Sequence, residues 1–213
     1  MTGPRLLYLH GFASGPESTK GRAYAEHYNA RGVHVERLNL RVPSFEHLRL
    51  SAMIETARAA IGDAHDRAIL IGSSLGGLTA ARLAERDPRV GALVLLAPAF
   101  QLVGRWRELP GWEDWERTGW REVHDHTTGG TARVDFAFAT DAAAIDVGFP
   151  DVRVPTLILH GTGDDVVPIG HARRFAEGRP HVHLVELTDD HQLVASLPRL
   201  LAETDAFLTP WLG

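Results

Sequence analysis

The chain has 213 residues, no cysteine and a formal net charge of −5, from 22 Lys and Arg against 27 Asp and Glu. The lack of cysteine excludes a thiol nucleophile, a disulfide framework and cysteine-ligated zinc or iron–sulfur centres. The mildly acidic net charge disfavours nucleic-acid binding. No apolar run approaches the ~20 residues of a membrane span, so we expect a cytoplasmic protein that neither binds nucleic acid nor spans a membrane.

Short apolar runs alternate with longer amphipathic stretches along the chain, which is typical of strands and helices in a parallel sheet. The predicted strands are Arg5–His10, Val33–Leu40, Ala68–Ser73, Gly91–Ala97, Thr156–His160 and His181–Leu187. The predicted helices are Phe45–Ile61, Leu75–Arg86, Ile169–Glu177 and Leu193–Phe207. We therefore predict an α/β fold with a mostly parallel, doubly wound sheet of about six strands, in one domain over residues 1–213.

The stretch from about residue 101 to 150 has no strong strand signal and breaks the alternation. It holds four of the five tryptophans: Trp106, Trp112, Trp115 and Trp120. A connection of about 50 residues is too long for an ordinary loop, so we predict a helical cap whose tryptophans contact substrate. Alternatively, its aromatic residues complete the core. Arg105, Arg107 and Arg121 in this stretch could recognise an anionic group, although a solvated charged surface is the simpler interpretation.

The third predicted strand leads into Gly72-Ser73-Ser74-Leu75-Gly76-Gly77, which contains the pattern G-x-S-x-G at a strand-to-helix junction. Such a sharp turn strains the central serine, and glycine two residues before and after it removes colliding side chains. We expect Ser74 to be a nucleophile at the carboxyl edge of the sheet. Ser73 is the rival serine but lacks the flanking glycines, and a glycine-rich turn without catalytic function is the alternative.

A nucleophilic serine needs a base, and the base needs an orienting carboxylate. Asp164 follows the fifth predicted strand and His191 follows the sixth, so the chain order is Ser, Asp, His, as in α/β-hydrolases. Asp165 is the main alternative to Asp164. Asp190 is an alternative neighbour that would steady His191 locally.

The loop after the first predicted strand reads His10-Gly11-Phe12-Ala13-Ser14-Gly15-Pro16. We expect the backbone N–H of Phe12 to form an oxyanion hole with that of Leu75, with Gly11 leaving room for substrate. The alternative is a simple Gly/Pro turn. His10 and His160 each precede a glycine in these loops, and we expect both to be structural.

The remaining histidines do not predict a metal or cofactor site. Two H-x-H pairs, His124/His126 and His181/His183, lack acidic or histidine partners at ligand spacing, so we expect no metal. Lys20 is the only lysine, which leaves a single candidate for Schiff-base chemistry. We expect no cofactor.

These motifs resemble the α/β-hydrolase superfamily. Residues Tyr8 to Lys20 are similar to the Y-L-H-G-F-x-S-x-P-x-S-x-K opening of small bacterial YqiA-type esterases, and the resemblance extends over the whole chain through G-S-S-L-G-G, H-G-x-x-D-x-x-V-P and a final D-H. It implies that Asp164 rather than Asp165 is the acid, and that Ser74, His191, Phe12 and Leu75 have the functions given above. The Trp-rich segment is longer than the resemblance implies.

The sequence thus predicts a serine hydrolase without cofactors, acting on a small-molecule ester or thioester with an apolar acyl or alcohol part. A peptidase, a C–C hydrolase or an acyltransferase would use the same three side chains, because the cap and the exclusion of water set specificity. A non-catalytic ligand receptor on the same fold is the alternative from another class.

Overall fold

The computed structural model describes residues 4–62 and 67–212, so the predicted domain limits at residues 1 and 213 lie outside the described residues. Its strands are β1 Leu6–Leu9, β2 Val35–Leu38, β3 Ala68–Ser73, β4 Val90–Leu96, β5 Trp120–Asp125, β6 Gly130–Asp135, β7 Thr156–Gly161 and β8 Val182–Leu187. Its helices are α1 Thr19–Asn29, α2 Leu50–Ile61, α3 Leu75–Ala84, α4 Leu102–Arg107, α5 Trp112–Thr118, α6 Ala137–Ile145, α7 Gly170–Ala176 and α8 Leu197–Leu212.

Six strands form one parallel sheet in the order β2-β1-β3-β4-β7-β8, and the predicted α/β fold is confirmed. Every residue of β3 and β4 is buried, as expected for central strands covered by helices on both faces. Alternate side chains of β1 enter two separate apolar clusters. Helices α2, α3 and α7 contribute to one cluster, and α1 and α8 contribute to the other.

The structure adds helix α1, which the sequence analysis did not predict. Its buried residues are Gly21, Tyr24, Ala25 and Tyr28, a helical spacing built from weakly hydrophobic residues. Ser18 caps its first turn by accepting a hydrogen bond from the Gly21 amide. The pattern was missed because tyrosine and glycine occupy the positions at which aliphatic residues would reveal a helix.

Two predicted helices begin later than expected. Helix α2 starts at Leu50 rather than Phe45, although Phe45 is itself buried and so preserves the apolar spacing. Helix α8 starts at Leu197 rather than Leu193, because Leu193 has a φ of 55° that no helix accommodates. Among the described residues, no helix is long and apolar enough to cross a membrane.

Residues 101–150 contain the expected helices, α4 to α6, but also an antiparallel hairpin of β5 and β6 that was not predicted. The hairpin was not predicted because only alternate residues are covered and most of its outward positions, such as Glu122, His124, Thr131 and Arg133, are polar. Bidentate ion pairs attach it to the rest of the protein: Arg41 binds Asp125 at 2.9 and 2.8 Å, and Arg49 binds Asp135 at 2.7 and 3.1 Å. These residues 101–150 are called the cap segment below.

Candidate active site

Ser74 lies at the junction of β3 and α3, with φ 52° and ψ −115°. This strained conformation survives because its glycine neighbours allow close packing. A Cβ on Gly76 would lie 2.1 Å from the Leu9 carbonyl oxygen, and one on Gly72 would lie 2.5 Å from the Gly76 carbonyl oxygen. The backbone therefore presents Ser74 above the carboxyl edge of the sheet.

Three side chains from separate loops form one hydrogen-bonded chain. The Ser74 Oγ lies 3.0 Å from Nε2 of His191, whose Nδ1 lies 2.7 Å from Oδ2 of Asp164. An ionised carboxylate only accepts, so Nδ1–H donates to Asp164 and Nε2 is left to accept the serine proton. The structure thus brings together the serine, histidine and aspartate that the sequence singled out.

The Asp164 carboxyl group is buried, and burial by itself would raise its pKa. Hydrogen bonds from His160 and His191 and from the backbone of Val167 outweigh burial and hold the pKa well below its usual range. Its Oδ1 accepts from the amides of Val166 and Val167 at 3.0 and 2.7 Å. Asp164 is therefore a fixed anion behind the imidazole.

The other two acidic candidates do not reach the imidazole. Asp165 is exposed on the loop after β7. Asp190 accepts from the backbone amide of Gln192 at 2.8 Å, so it shapes the loop on both sides of His191. That loop packs tightly on the acid loop, since a Cβ on Gly161 would lie 2.4 Å from the Asp189 carbonyl oxygen.

The loop after β1 passes directly over the serine. A Cβ on Gly11 would lie 3.3 Å from the Ser74 Cβ. The next amide belongs to Phe12, and the amide of Leu75 opens α3 on the other side of the serine. Neither amide has a hydrogen-bond partner among the described residues. Both are therefore free to donate to an oxygen bound beside Ser74.

His10 and His160 both hold backbone groups near the site. In His10, Nδ1 donates to the Gly11 carbonyl at 2.9 Å and Nε2 accepts from the Leu40 amide at 3.0 Å. Burial lowers the pKa of His10, which keeps the ring neutral. Nε2 of His160 lies 2.8 Å from the Val167 carbonyl and 3.1 Å from Asp164. Both histidines thus support the loops of the site.

A cavity of about 590 Å³ opens beside Ser74 and His191, large enough for a small-molecule ligand. Part of its wall comes from the cap segment and is mostly apolar. Trp106 and Trp115 belong to this wall. Trp115 is fully buried and donates its indole N–H to the Val134 carbonyl at 3.1 Å, and Trp106 packs edge-on against Phe12.

The other two tryptophans lie outside the cavity wall. Trp112 packs edge-on against Trp115. Trp120 is at the surface, where the Arg133 guanidinium lies 4.2 Å from the centre of its ring. Trp112 is the first residue of α5, and Trp120 occupies an outward position of β5.

Among the cap arginines, Arg105 and Arg121 line the cavity, while Arg107 is exposed. Arg105 donates to the Val166 carbonyl at 2.8 Å, and burial lowers its pKa. Tyr8 and Lys20 also line the cavity, and no binding function was predicted for either. The signal that could have found Lys20 is its position at the end of the motif that begins with Tyr8.

Histidines of both H-x-H pairs contact each other or backbone groups. The rings of His124 and His126 pack edge-on at 4.9 Å between their centres, and His181 lies 2.9 Å from the Val152 carbonyl. Within residues 4–62 and 67–212, no group of three His, Asp or Glu residues is placed to hold a metal ion.

Comparison with known proteins shows the family of the chain and several solved structures with the same fold. The sequence profile of the Uncharacterised protein family (UPF0227) matches residues 5–208. Alpha/beta hydrolase domain-containing protein 10 from mouse superposes with a TM-score of 0.82 at 23% identity, over 99% of this chain and 92% of that chain. Est1E from Butyrivibrio proteoclasticus superposes with a TM-score of 0.80 at 22% identity, over 99% of this chain and 89% of that chain. The Pyrococcus furiosus esterase Pf2001 superposes with a TM-score of 0.71 at 17% identity, over 100% of this chain and 84% of that chain. No curated protein matches the chain in sequence.

Proposed function

Since the chain belongs to the Uncharacterised protein family (UPF0227) and has the α/β-hydrolase fold, we propose that it is a serine hydrolase of carboxylic esters or thioesters. The observation that carries the proposal is the hydrogen-bonded chain from Ser74 through His191 to Asp164, with contacts of 3.0 and 2.7 Å beside a cavity. A serine, a base and a buried carboxylate in this arrangement are the requirements for acyl transfer through a serine ester.

In the proposed reaction, Ser74 Oγ attacks the ester carbonyl carbon while Nε2 of His191 accepts the hydroxyl proton. Asp164 accepts the Nδ1–H bond throughout and stabilises the imidazolium that forms. His191 then donates its proton to the departing alcohol or thiol, and the acyl group stays on Ser74. A water molecule, deprotonated by His191, attacks the acyl carbon; the bond to Ser74 Oγ then breaks, His191 returns the proton to Oγ, and the acid is released.

The tetrahedral intermediate carries a negative oxygen that needs hydrogen-bond donors. The amides of Phe12 and Leu75 are the proposed donors, because they flank Ser74 and are otherwise unpaired among the described residues. Leu75 is also the first residue of α3, so the positive end of the helix dipole lies at this oxygen.

We propose that residues 101–150 act as a cap and that the apolar acyl part binds against it. Leu102, Trp106, Trp115, Val123 and Val134 contribute apolar surface to the cavity on this side. The esterase Pf2001 shows that the fold supports ester hydrolysis elsewhere, while the proposal for this chain rests on its own site.

Labelling with a fluorophosphonate tests the proposal directly, because the probe forms a covalent bond with an activated serine only. We expect labelling on Ser74 and hydrolysis of p-nitrophenyl butyrate, with both lost in Ser74→Ala. Ser44→Ala, which removes an exposed serine, is the matched control and should keep both. Wild-type turnover by Ser74→Ala, or a folded wild-type protein that takes no label, would overturn the proposal.

A further inference from the structure

The cavity beside Ser74 has a second wall whose chemistry differs from that of the cap. This wall, called the polar wall here, is formed by Tyr8, Ser18, Thr19, Lys20 and Gln192. It lies at the end of β1, the start of α1 and the loop after β8. An entirely apolar ester would leave the remaining donors of this wall, such as those of Lys20, without a ligand, so the polar wall indicates a polar part of the substrate.

Lys20 is the cationic group of this wall. Its ammonium donates to the Gln192 carbonyl at 2.6 Å, and no carboxylate among the described residues lies within ion-pair distance. An ammonium has three N–H donors, so two remain for a ligand. The side chain is half-buried, so an anion in the cavity would meet a charge that is only partly solvated.

Tyr8 supplies an independent observation. Its ring is 1% exposed and its hydroxyl makes no hydrogen bond of standard geometry, although the hydroxyls of Ser18 and Ser73 are close. A buried O–H without a well-formed hydrogen bond is costly, and Tyr8 is one of the residues that line the cavity. Burial raises the pKa of Tyr8 to about 12, so the hydroxyl keeps its proton and can donate.

The charge of the whole cavity wall favours an anion. Lys20, Arg105 and Arg121 line it, and none of the three has a carboxylate partner in the described part of the chain. Glu17 is the acidic residue at this surface, and it pairs with Arg37 at 3.0 Å. A carboxylate on the substrate would therefore meet donors and positive charge.

The position of Lys20 also indicates which part of the ester carries the charge. Lys20 binds Gln192, the residue next to His191. In the proposed reaction His191 must face the leaving oxygen to protonate it, so the alcohol or thiol part is directed toward this loop. The acyl part then lies toward the cap.

We propose that the polar wall binds a carboxylate on the alcohol or thiol part of the substrate, with Lys20 as the principal contact and Tyr8 as a second donor. This inference rests on the proposed hydrolase function. The substrate class is then an ester or thioester of an apolar acid with a hydroxy or mercapto carboxylic acid.

Two pairs of isosteric butyrate esters test the proposal, one short and one long. Butyrylglycolate is compared with butyrylglycolamide, and 4-carboxyphenyl butyrate with 4-carbamoylphenyl butyrate. In at least one pair, Lys20→Met should lower the anionic-to-neutral ratio of kcat/KM by about tenfold, the effect of one hydrogen bond to a charged group. Lys20→Arg should restore part of the ratio, and Tyr8→Phe should lower it less. Arg22→Met removes an exposed positive charge of α1 and should leave the ratio unchanged.

The pH dependence of the wild-type protein gives a test that needs no variant. Burial lowers the pKa of Lys20 to about 8, although Asp190, Asp189 and Asp164 favour its charge. The anionic-to-neutral ratio should therefore fall as the pH rises through about 8. The pKa of Asp164 and that of Asp189 are lowered and that of Tyr8 is raised to about 12, so these three groups do not change charge there. Any change in His191 affects both esters of a pair equally.

The possible outcomes separate the two proposals. If Lys20→Met lowers kcat/KM equally for both esters of each pair, Lys20 only holds the His191 loop and the carboxylate subsite is overturned. The subsite is also overturned if the wild-type anionic-to-neutral ratio of kcat/KM does not change with pH and if Lys20→Arg and Tyr8→Phe have the same ratio as the wild type. Failure of the hydrolase proposal looks different, because no ester of either charge would then depend on Ser74.

Discussion

The Leu40 amide donates to Nε2 of His10 at 3.0 Å, and this bond fixes the ring as the Nδ1–H tautomer. Nδ1–H then donates to the Gly11 carbonyl, whose peptide group also contains the Phe12 N–H. Carbonyl and N–H point in opposite directions in a trans peptide, so by holding the Gly11 carbonyl His10 also fixes the direction of the Phe12 N–H. The histidine thereby orients one of the two proposed oxyanion donors.

We expect His10→Ala to lower kcat by at least about tenfold, because one donor of the oxyanion is no longer held in place. KM for a p-nitrophenyl ester should change little, since the donor acts mainly in the transition state. Steady-state kinetics measure both. His183→Ala, on the edge strand β8, is the control. An unchanged kcat in folded His10→Ala would show that the loop keeps its position without the imidazole.

Asp164→Asn should lower kcat by about 10⁴-fold, because the amide no longer selects the imidazole tautomer and no longer stabilises the imidazolium. Asp165→Asn changes the neighbouring exposed carboxylate and should retain activity. The two variants are compared in p-nitrophenyl butyrate hydrolysis. The reverse pattern would assign the acid to Asp165.

The length of the acyl chain should affect kcat/KM if the apolar part binds at the cap. We expect kcat/KM for p-nitrophenyl esters to rise from acetate to medium-length chains, since each buried methylene contributes about 0.8 kcal/mol. Trp106→Ala should flatten this rise, while the outward-facing Trp120→Ala should preserve it. A flat profile in the wild-type protein from acetate to decanoate would contradict apolar binding.

Gly76→Ala should destabilise the fold by about 3 kcal/mol or more, because the new Cβ would overlap the Leu9 carbonyl oxygen. Gly104→Ala is the matched control within helix α4, where a Cβ meets nothing within 4 Å. That change should raise stability by about 0.5–1 kcal/mol. Urea unfolding measures both, and equal stabilities would refute the close approach of α3 to β1.

The Arg41–Asp125 pair should make the attachment of the hairpin sensitive to acid. Hydrogen bonds from Arg41 hold the pKa of Asp125 well below 3.8, against the opposing effect of burial. A lowered pKa means that the stabilisation is present above about pH 4 and is lost as the pH falls further. Arg41→Ala should cost about 3 kcal/mol in urea unfolding at pH 7, because Asp125 is only 3% exposed.

The control for this pair is Arg153→Ala, which breaks a fully exposed pair with Asp151 and should change stability little. The double variant Arg41→Ala, Asp125→Ala should recover part of the loss, since it leaves no buried charge unpaired. If Arg41→Ala and Arg153→Ala cost the same, the hairpin is not held by this contact.

The sheet could be predicted from sequence because its central strands are buried on both faces and therefore read as unbroken apolar runs. The junction at Ser74 could also be predicted, since the turn tolerates only glycine at Gly72 and Gly76 and so leaves a local pattern. Asp164 and His191 were found through their places after β7 and β8, where a parallel sheet gathers polar side chains.

The remaining features depend on contacts that no local pattern reveals. Helix α1 uses tyrosines for its buried face, and the hairpin is held by charges on distant loops, such as Arg41 and Arg49. Trp115 is buried because α5 packs it against β6, whereas Trp120 is at the surface because it points outward from β5. Lys20 lines the cavity only because α1 begins beside the loop of His191.

The two bidentate ion pairs of the hairpin lie at its opposite ends, since Asp125 is at the end of β5 near the turn and Asp135 closes β6. A segment anchored at both ends cannot swing as a hinged flap without breaking two partly buried charge pairs. We therefore expect the hairpin side of the cavity to be preformed and association with a small ester to be a single step. Its rate should increase linearly with ester concentration, without the plateau that a slow opening step would impose.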